Sequence, residues 1–269
     1  MPYAYVNGLK VHYLEEGKGL PLVFLHGFTA DSSLWNPQIA HFSKRYRAIA
    51  PDFRGHGRSD RPRRSCSLED LEDDLDGLFR ELGIDEAALC GLSLGGMVAQ
   101  LFALDNPRNV RALILANTMS SSQNPISQGL FDSWSEGLSS GNLEEFFEGM
   151  LPYLFDQEFL SSFTGNQVVA EWRSSFLKLD GKALSQVALS MKGLDTTKRL
   201  ERIGAPTLII VGDKDRLTPL ALSRRIHERM PNSQLAIIEG ATHLSNMSRM
   251  KEFNDVVGDF LRRAIPWKV

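Results

Sequence analysis

One serine in a run of small residues is the strongest chemical signal in this chain of 269 residues. Ser93 stands in Cys90-Gly91-Leu92-Ser93-Leu94-Gly95-Gly96. Before it, Glu86 to Cys90 reads as a strand; after it, Leu94 to Asp105 reads as a helix. A serine on such a corner takes strained dihedrals, and side chains at Gly91 and Gly95 would collide with the turn. The corner lifts the hydroxyl out of the sheet and aims the first amides of the helix at whatever the hydroxyl attacks. The chemistry would be nucleophilic acyl transfer. It requires a base for the hydroxyl proton, a third group to orient that base, and donors for the negative charge that develops.

Position sorts the six histidines. His12 falls in an N-terminal hairpin, and His41 and His227 fall in expected helices as surface residues. His26 ends an apolar strand and would support the neighbouring loop. His56, in Arg54-Gly55-His56-Gly57, reads as a hydrogen-bonding structural residue. His243 follows the last expected strand, in Glu239-Gly240-Ala241-Thr242-His243, at the carboxyl edge of the sheet. Ligands bind at that edge in open α/β sheets, so His243 is the expected base. The acid should come from Gly212-Asp213-Lys214-Asp215-Arg216-Leu217-Thr218-Pro219. Asp213 and Asp215 both qualify, and the residues alone do not separate them. The oxyanion donors would be the backbone N–H of Leu94, at the helix start, and that of Phe28, in the loop His26-Gly27-Phe28.

The elements needed to carry these groups can be read in order. Tyr3–Val6 and Leu9–Leu14 flank Asn7-Gly8, a two-residue hairpin signal. Leu22–Leu25 and Arg47–Ala50 are short apolar runs, as buried strands require. Leu68, Leu71, Leu75, Leu78, Phe79 and Leu82 fall at helical spacing between a Ser67 cap and Gly83. Glu72, Asp73, Asp74 and Asp76 on that helix read as a solvated acidic face. Val110–Ala116 is the next strand; Thr207–Val211, a helix from Thr218-Pro219 to Met230, and Leu235–Ile238 follow. The final helix is expected from Ser248 to Arg263, its apolar face formed by Met250, Phe253, Val256, Val257, Phe260 and Leu261. Alternation of strand and helix predicts an α/β fold, a mostly parallel central sheet with helices on both faces.

Thr118 to Arg199 breaks the alternation and reads as short helices. The expected organisation is a core of residues 1–117 and 200–269 with an inserted helical cap (lid) at 118–199. That segment carries ten aromatics, from Phe131 to Phe176. Trp134 and Trp172 are the candidates to line the substrate pocket, since an apolar lid excludes water.

The formal net charge of −3 gives no reason to expect nucleic acid. No apolar run approaches a membrane span of ~18 residues. The first residues lack the basic and apolar regions of a secretion signal, so the expected location is cytoplasmic. Cys66, expected in a polar loop, and Cys90, at a buried strand end, are not expected to pair. No His/Cys spacing suggests a metal, and no cofactor is expected. Oligomeric state is left open.

His26-Gly27-Phe28, Asp52 through Ser59, Gly91 through Gly96, Gly212 through Pro219 and Thr242-His243 occur in the order of the landmarks of the α/β-hydrolase superfamily. The chain resembles that superfamily over nearly its full length. Cys90 through Val98 and His243 through Met247 most resemble 3-oxoadipate enol-lactonases and related small carboxylesterases. The resemblance implies the α/β-hydrolase fold and makes the second aspartate, Asp215, the triad acid. It also makes Asp52–Ser59 a structural loop with no catalytic step. The implied activity is a serine esterase or lactonase: Ser93, His243 and Asp215 would cleave a small carboxylic ester or lactone through an acyl-enzyme. The same triad serves cofactor-free perhydrolases, which often carry proline where Thr29 stands, and carbon–carbon bond hydrolases. Relatives that resemble the fold but dehalogenate or open epoxides use aspartate at the position of Ser93. A non-catalytic ligand receptor is the alternative of another class.

Overall fold

The computed structural model describes residues 2–61 and 66–265. In chain order the elements are β1 (Tyr3–Val6), β2 (Leu9–Glu16), β3 (Pro21–Leu25), α1 (Asn36–Phe42), β4 (Arg47–Pro51), α2 (Leu68–Glu81), β5 (Ala87–Leu92), α3 (Leu94–Asp105) and β6 (Val110–Ala116). Five helices follow: α4 (Pro125–Ser139), α5 (Leu143–Leu154), α6 (Gln157–Ser161), α7 (Phe163–Phe176) and α8 (Gly181–Ser190). The sheet resumes with β7 (Thr207–Gly212), α9 (Leu220–Arg229), β8 (Ser233–Ile238), α10 (Ser245–Ser248) and α11 (Met250–Ala264).

The strands form one sheet in the order β1-β2-β4-β3-β5-β6-β7-β8. The β1–β2 and β2–β4 pairings are antiparallel, and every pairing from β4 through to β8 is parallel. Asn7 and Gly8 both have positive φ, 51° and 79°, as a two-residue turn matched to strand twist requires. β3, β5, β6 and β7 are buried along nearly their whole length, which is why they read as unbroken apolar runs. Helices cover both faces, giving the expected α/β architecture.

Helix α2 starts at Ser67, whose hydroxyl accepts the Asp70 amide while the Asp70 carboxylate accepts the Ser67 amide. A cap of this kind contributes about 1 kcal/mol. Phe79 on α2 meets Phe102 on α3 at 4.7 Å between ring centroids. Phe253, Val257, Phe260 and Leu261 bury the inner face of α11, each contributing roughly 1.5–3 kcal/mol.

Three expectations require correction. Glu72 and Asp74 are not solvated: they are 8% and 7% exposed. The reason lies outside their helix. Arg54 grips Asp74 with two hydrogen bonds of 2.6 Å, and Asn106 donates to Glu72 at 2.8 Å. Met250, the first residue of α11, is 45% exposed and lies outside the buried face that starts at Phe253. Cys66 is buried rather than set in an open polar loop; both cysteines are free, and burial pushes the Cys66 thiol up to about 12. No helix among the described residues is long and apolar enough to cross a membrane.

Candidate active site

Ser93 follows the last residue of β5 and has φ 54° and ψ −114°, outside the favoured regions for a residue with a Cβ. Its neighbours explain why the corner can form. A Cβ at Gly91 would run into the Gly95 carbonyl, and one at Gly95 into the Leu25 carbonyl of β3. The Ser93 amide continues the β5–β6 ladder by donating to Ala116 O at 2.9 Å, and its carbonyl accepts the Gly96 and Met97 amides that open α3. The corner is thus held by hydrogen bonds on both sides of the strained residue.

His243 and Asp215 meet where the loops after β8 and β7 converge. His243 Nδ1 lies 2.9 Å from Asp215 Oδ2. With Nδ1 donating to the carboxylate, Nε2 carries the lone pair of the neutral ring. Asp215 Oδ1 accepts the Leu217 and Thr218 amides at 2.9 Å each. Its Oδ2 also accepts Thr218 Oγ1 at 2.6 Å and Asn117 Nδ2 at 2.8 Å. Burial alone would push this carboxyl up. The electrostatic pull of His243 and the hydrogen bonds from His243, Thr218 and Asn117 outweigh it and hold the group at about 2. Asp213, the other aspartate of the loop, is exposed, and among the described residues the carboxylate paired with His243 is that of Asp215.

Ser93, His243, Phe28, Trp134 and Trp172 all line one chamber of about 20 Å³, closed further by Met150, Leu154 and Leu217. That volume holds about one water. The Ser93 hydroxyl has no hydrogen-bond partner among the described residues. The amide of Leu94 is the first of α3 and has no carbonyl to bond within the helix. The Phe28 amide is oriented indirectly. His26 Nδ1 donates to Gly27 O at 2.8 Å while its Nε2 accepts the Phe53 amide at 3.0 Å. Because a trans peptide points N–H opposite to C=O, anchoring the Gly27 carbonyl turns the Phe28 N–H away from His26. Burial lowers the His26 pKa, which favours the neutral ring this pattern needs.

Two surrounding groups fix the loop further. Asp52 accepts the Ser32 amide at 2.6 Å, the Arg58 amide at 2.8 Å and His12 Nδ1 at 2.8 Å. His12 therefore does more than occupy a hairpin; it is buried and ties β2 to the loop after β4. Trp172 Nε1 donates to Thr29 O at 2.9 Å, and Trp134 stacks on Phe28 at 5.5 Å and 14°. Both tryptophans reach the chamber from the helices between β6 and β7.

Residues 21–249 match the family described as the alpha/beta hydrolase fold. The chain belongs to the α/β-hydrolase family. Among its relatives, 3-oxoadipate enol-lactonase 2 of Acinetobacter baylyi is 26% identical over 245 residues, 90% of this chain and 88% of that protein. A putative carbamate hydrolase, RutD, of Rhizobium rhizogenes is 29% identical, covering 94% of this chain and 97% of its own. The crystal structure of the enol-lactonase from Burkholderia xenovorans LB400 superposes with a TM-score of 0.90 at 28% identity, covering 97% of this chain and 99% of that one.

Two residues hold roles in this α/β-hydrolase site that the sequence did not assign to them. Asn117, one residue beyond β6, donates to Asp215, contacts Thr242 O at 3.4 Å and accepts Ser245 Oγ at 2.8 Å, so it spans the acid loop and the histidine loop. The signal was its place at the carboxyl edge of a buried strand next to the elbow. Thr218 was expected only as a helix start. The helix begins at Leu220 instead, and the Thr218 hydroxyl serves Asp215.

Proposed function

We propose that the chain is a serine hydrolase that cleaves a small carboxylic ester or lactone through an acyl-enzyme. The observation that carries this reading is the His243–Asp215 hydrogen bond of 2.9 Å, with His243 and the strained Ser93 facing one closed chamber. As Ser93 Oγ bonds to the substrate carbonyl carbon, its proton passes to His243 Nε2. Asp215 holds the imidazole in the required tautomer and stabilises the imidazolium without taking its proton. The carbonyl oxygen gains a negative charge that the Phe28 and Leu94 amides receive; losing one such donor costs on the order of 3 kcal/mol. The carbon–oxygen bond to the leaving group breaks, and His243 returns the proton to that oxygen. For a lactone the leaving oxygen stays tethered to the acyl group. Water then attacks the Ser93 ester, again through His243, and frees the acid and the hydroxyl.

Residues 118–199 act in this reading as a cap on a core of 1–117 and 200–269, with Trp134 and Trp172 closing the chamber against water. No step requires a cofactor. The likeness to enol-lactonases supports the lactone form, and the likeness to RutD favours a second reading in which the same attack falls on a carbamate carbonyl. A panel of p-nitrophenyl esters, lactones and carbamates separates these. Fluorophosphonate treatment should label Ser93 in the folded protein, and Ser93→Ala should abolish turnover. Hydrolysis that survives Ser93→Ala, or a folded enzyme whose Ser93 resists the label, sinks the proposal.

A further inference from the structure

The chamber of about 20 Å³ is too small for an ester, yet three of its walls, Trp134, Met150 and Leu217, are also walls of a cavity of about 640 Å³. That cavity lies between α4, α5 and the loop after β7, and its size suits a small-molecule ligand. These three side chains separate the two spaces. Trp134 is held by ring contacts with Phe28 and Phe131 and has no hydrogen bond among the described residues, and Met150 is an unbranched, flexible side chain. Trp172, on the other wall, is tethered to Thr29 O. Of the two tryptophans, the one without a hydrogen bond, Trp134, is the one that faces the large cavity.

Arg216 stands on the rim of that cavity, one residue from Asp215. Its guanidinium lies over the Tyr153 ring at 4.8 Å and forms no ion pair or hydrogen bond among the described residues. By contrast, Arg173 pairs with Glu144, and Lys192 with Asp132 at 2.6 Å. Stacking covers one face of a guanidinium and leaves its edge, with the N–H fork, free to meet a carboxylate. Glu145 lies in the same cavity, and its carboxylate is taken up by Asn142 Nδ2 at 2.8 Å. The charge polarity therefore places an anion at the Arg216 end and apolar substance along Leu130, Phe146 and Met150.

We propose that this cavity is the substrate's second subsite, and that it selects esters whose remote end carries a carboxylate, read by Arg216 after Trp134 swings aside. The proposal rests on the hydrolase reading given above and names the substrate class of that same site. Two substrates test it: p-nitrophenyl heptanoate, and its counterpart with a terminal carboxylate, the p-nitrophenyl half-ester of pimelic acid. The quantity read is the ratio of kcat/KM for the half-ester to that for the heptanoate. Damage to the neighbouring Asp215 would lower both and cancel. Arg216→Gln should lower the ratio about fivefold, through KM, as expected for a single ion pair open to solvent. Arg216→Glu should lower it further, and Arg216→Lys should restore part of it. A ratio unchanged in Arg216→Gln and Arg216→Glu overturns the subsite while leaving the serine hydrolase standing. Failure of the wild type to cleave either ester by a route sensitive to Ser93→Ala overturns the hydrolase reading and the subsite with it.

Discussion

Asn117→Ala is the perturbation that tests most directly how the acid and the histidine are held together. The side chain donates to Asp215 Oδ2 at 2.8 Å, the same oxygen that faces His243 Nδ1 at 2.9 Å. A hydrogen bond to a buried charge is worth roughly 1.5–3 kcal/mol. Removing it also strands the Ser245 hydroxyl, whose acceptor is Asn117 Oδ1. Asp215 keeps the Leu217 and Thr218 amides and the Thr218 hydroxyl, so the carboxylate stays in place but turns more freely. The expected loss in kcat is about tenfold, equivalent to about 1.4 kcal/mol of orientation, with a loss of about 2 kcal/mol in stability. The pH dependence supplies a second readout. Asp215 is held at about 2, below its ordinary 3.8, and so adds about 2 kcal/mol of stability. That contribution is complete above the ordinary value and is lost as pH falls from there through about 2. Without the Asn117 hydrogen bond the folded pKa rises, the contribution shrinks, and acid unfolding begins at higher pH. Steady-state ester kinetics and circular dichroism across an acid titration measure both effects. A variant with kcat within about twofold of wild type and the same acid midpoint would refute the positioning role.

Glu72→Gln should raise the melting temperature at about pH 8 and leave it nearly unchanged at about pH 4. Burial first, then the carboxylates of Asp105, Asp73 and Asp76, push Glu72 up to about 7. Relative to the unfolded chain its favourable contribution is complete below the ordinary 4.5 and is lost as pH rises through about 7. Glutamine keeps an oxygen for the Asn106 donor and removes the charge, so a gain of about 2 kcal/mol, roughly 5 °C, is expected at the higher pH by differential scanning fluorimetry. Equal shifts at both pH values would exclude ionisation as the cause. Ser93→Gly and Ser93→Ala should both be inactive, but only glycine relieves a Cβ at φ 54°. Glycine should therefore gain about 1 kcal/mol in chemical denaturation after its greater unfolded-state entropy is subtracted, and alanine should gain none. An equal gain for alanine would place the strain elsewhere.

Where a local pattern determined a feature, the sequence revealed it. The strands β3 and β6 announce themselves as apolar runs, α2 by its cap and stripe, and Ser93 by small neighbours whose necessity the Gly95–Leu25 approach explains. Features made by residues distant in sequence were hidden. Nothing around Asp74 indicates that Arg54 reaches it, and nothing around His12 indicates that Asp52 does. Asp213 and Asp215 differ only in which of them the turn after β7 delivers to His243. Asn117 looks like any polar residue after a strand until the loops carrying Asp215 and Ser245 close on it.

Backbone strain marks the site more compactly than side-chain chemistry does. Among the described residues, four that are not glycine have positive φ: Asn7, Thr29, Ser93 and Asn117. Asn7 belongs to the hairpin turn. The other three follow β3, β5 and β6, neighbouring strands of the sheet: Ser93 and Asn117 directly after the strand, Thr29 in the loop after β3. One is the proposed nucleophile, one positions the acid, and one adjoins the Phe28 amide and carries the carbonyl that holds Trp172. At roughly 1–3 kcal/mol each, such conformations persist only where the surroundings over-determine them. Here the surroundings do: Ser93 through the β6 ladder and α3, Asn117 through Ile210 O and Asp215, Thr29 through Phe28 O and Trp172. The strain thus lets the chain turn abruptly beyond three neighbouring buried strands, around the chamber that Ser93 lines. A relaxed chain would continue smoothly past each end and leave the three groups apart.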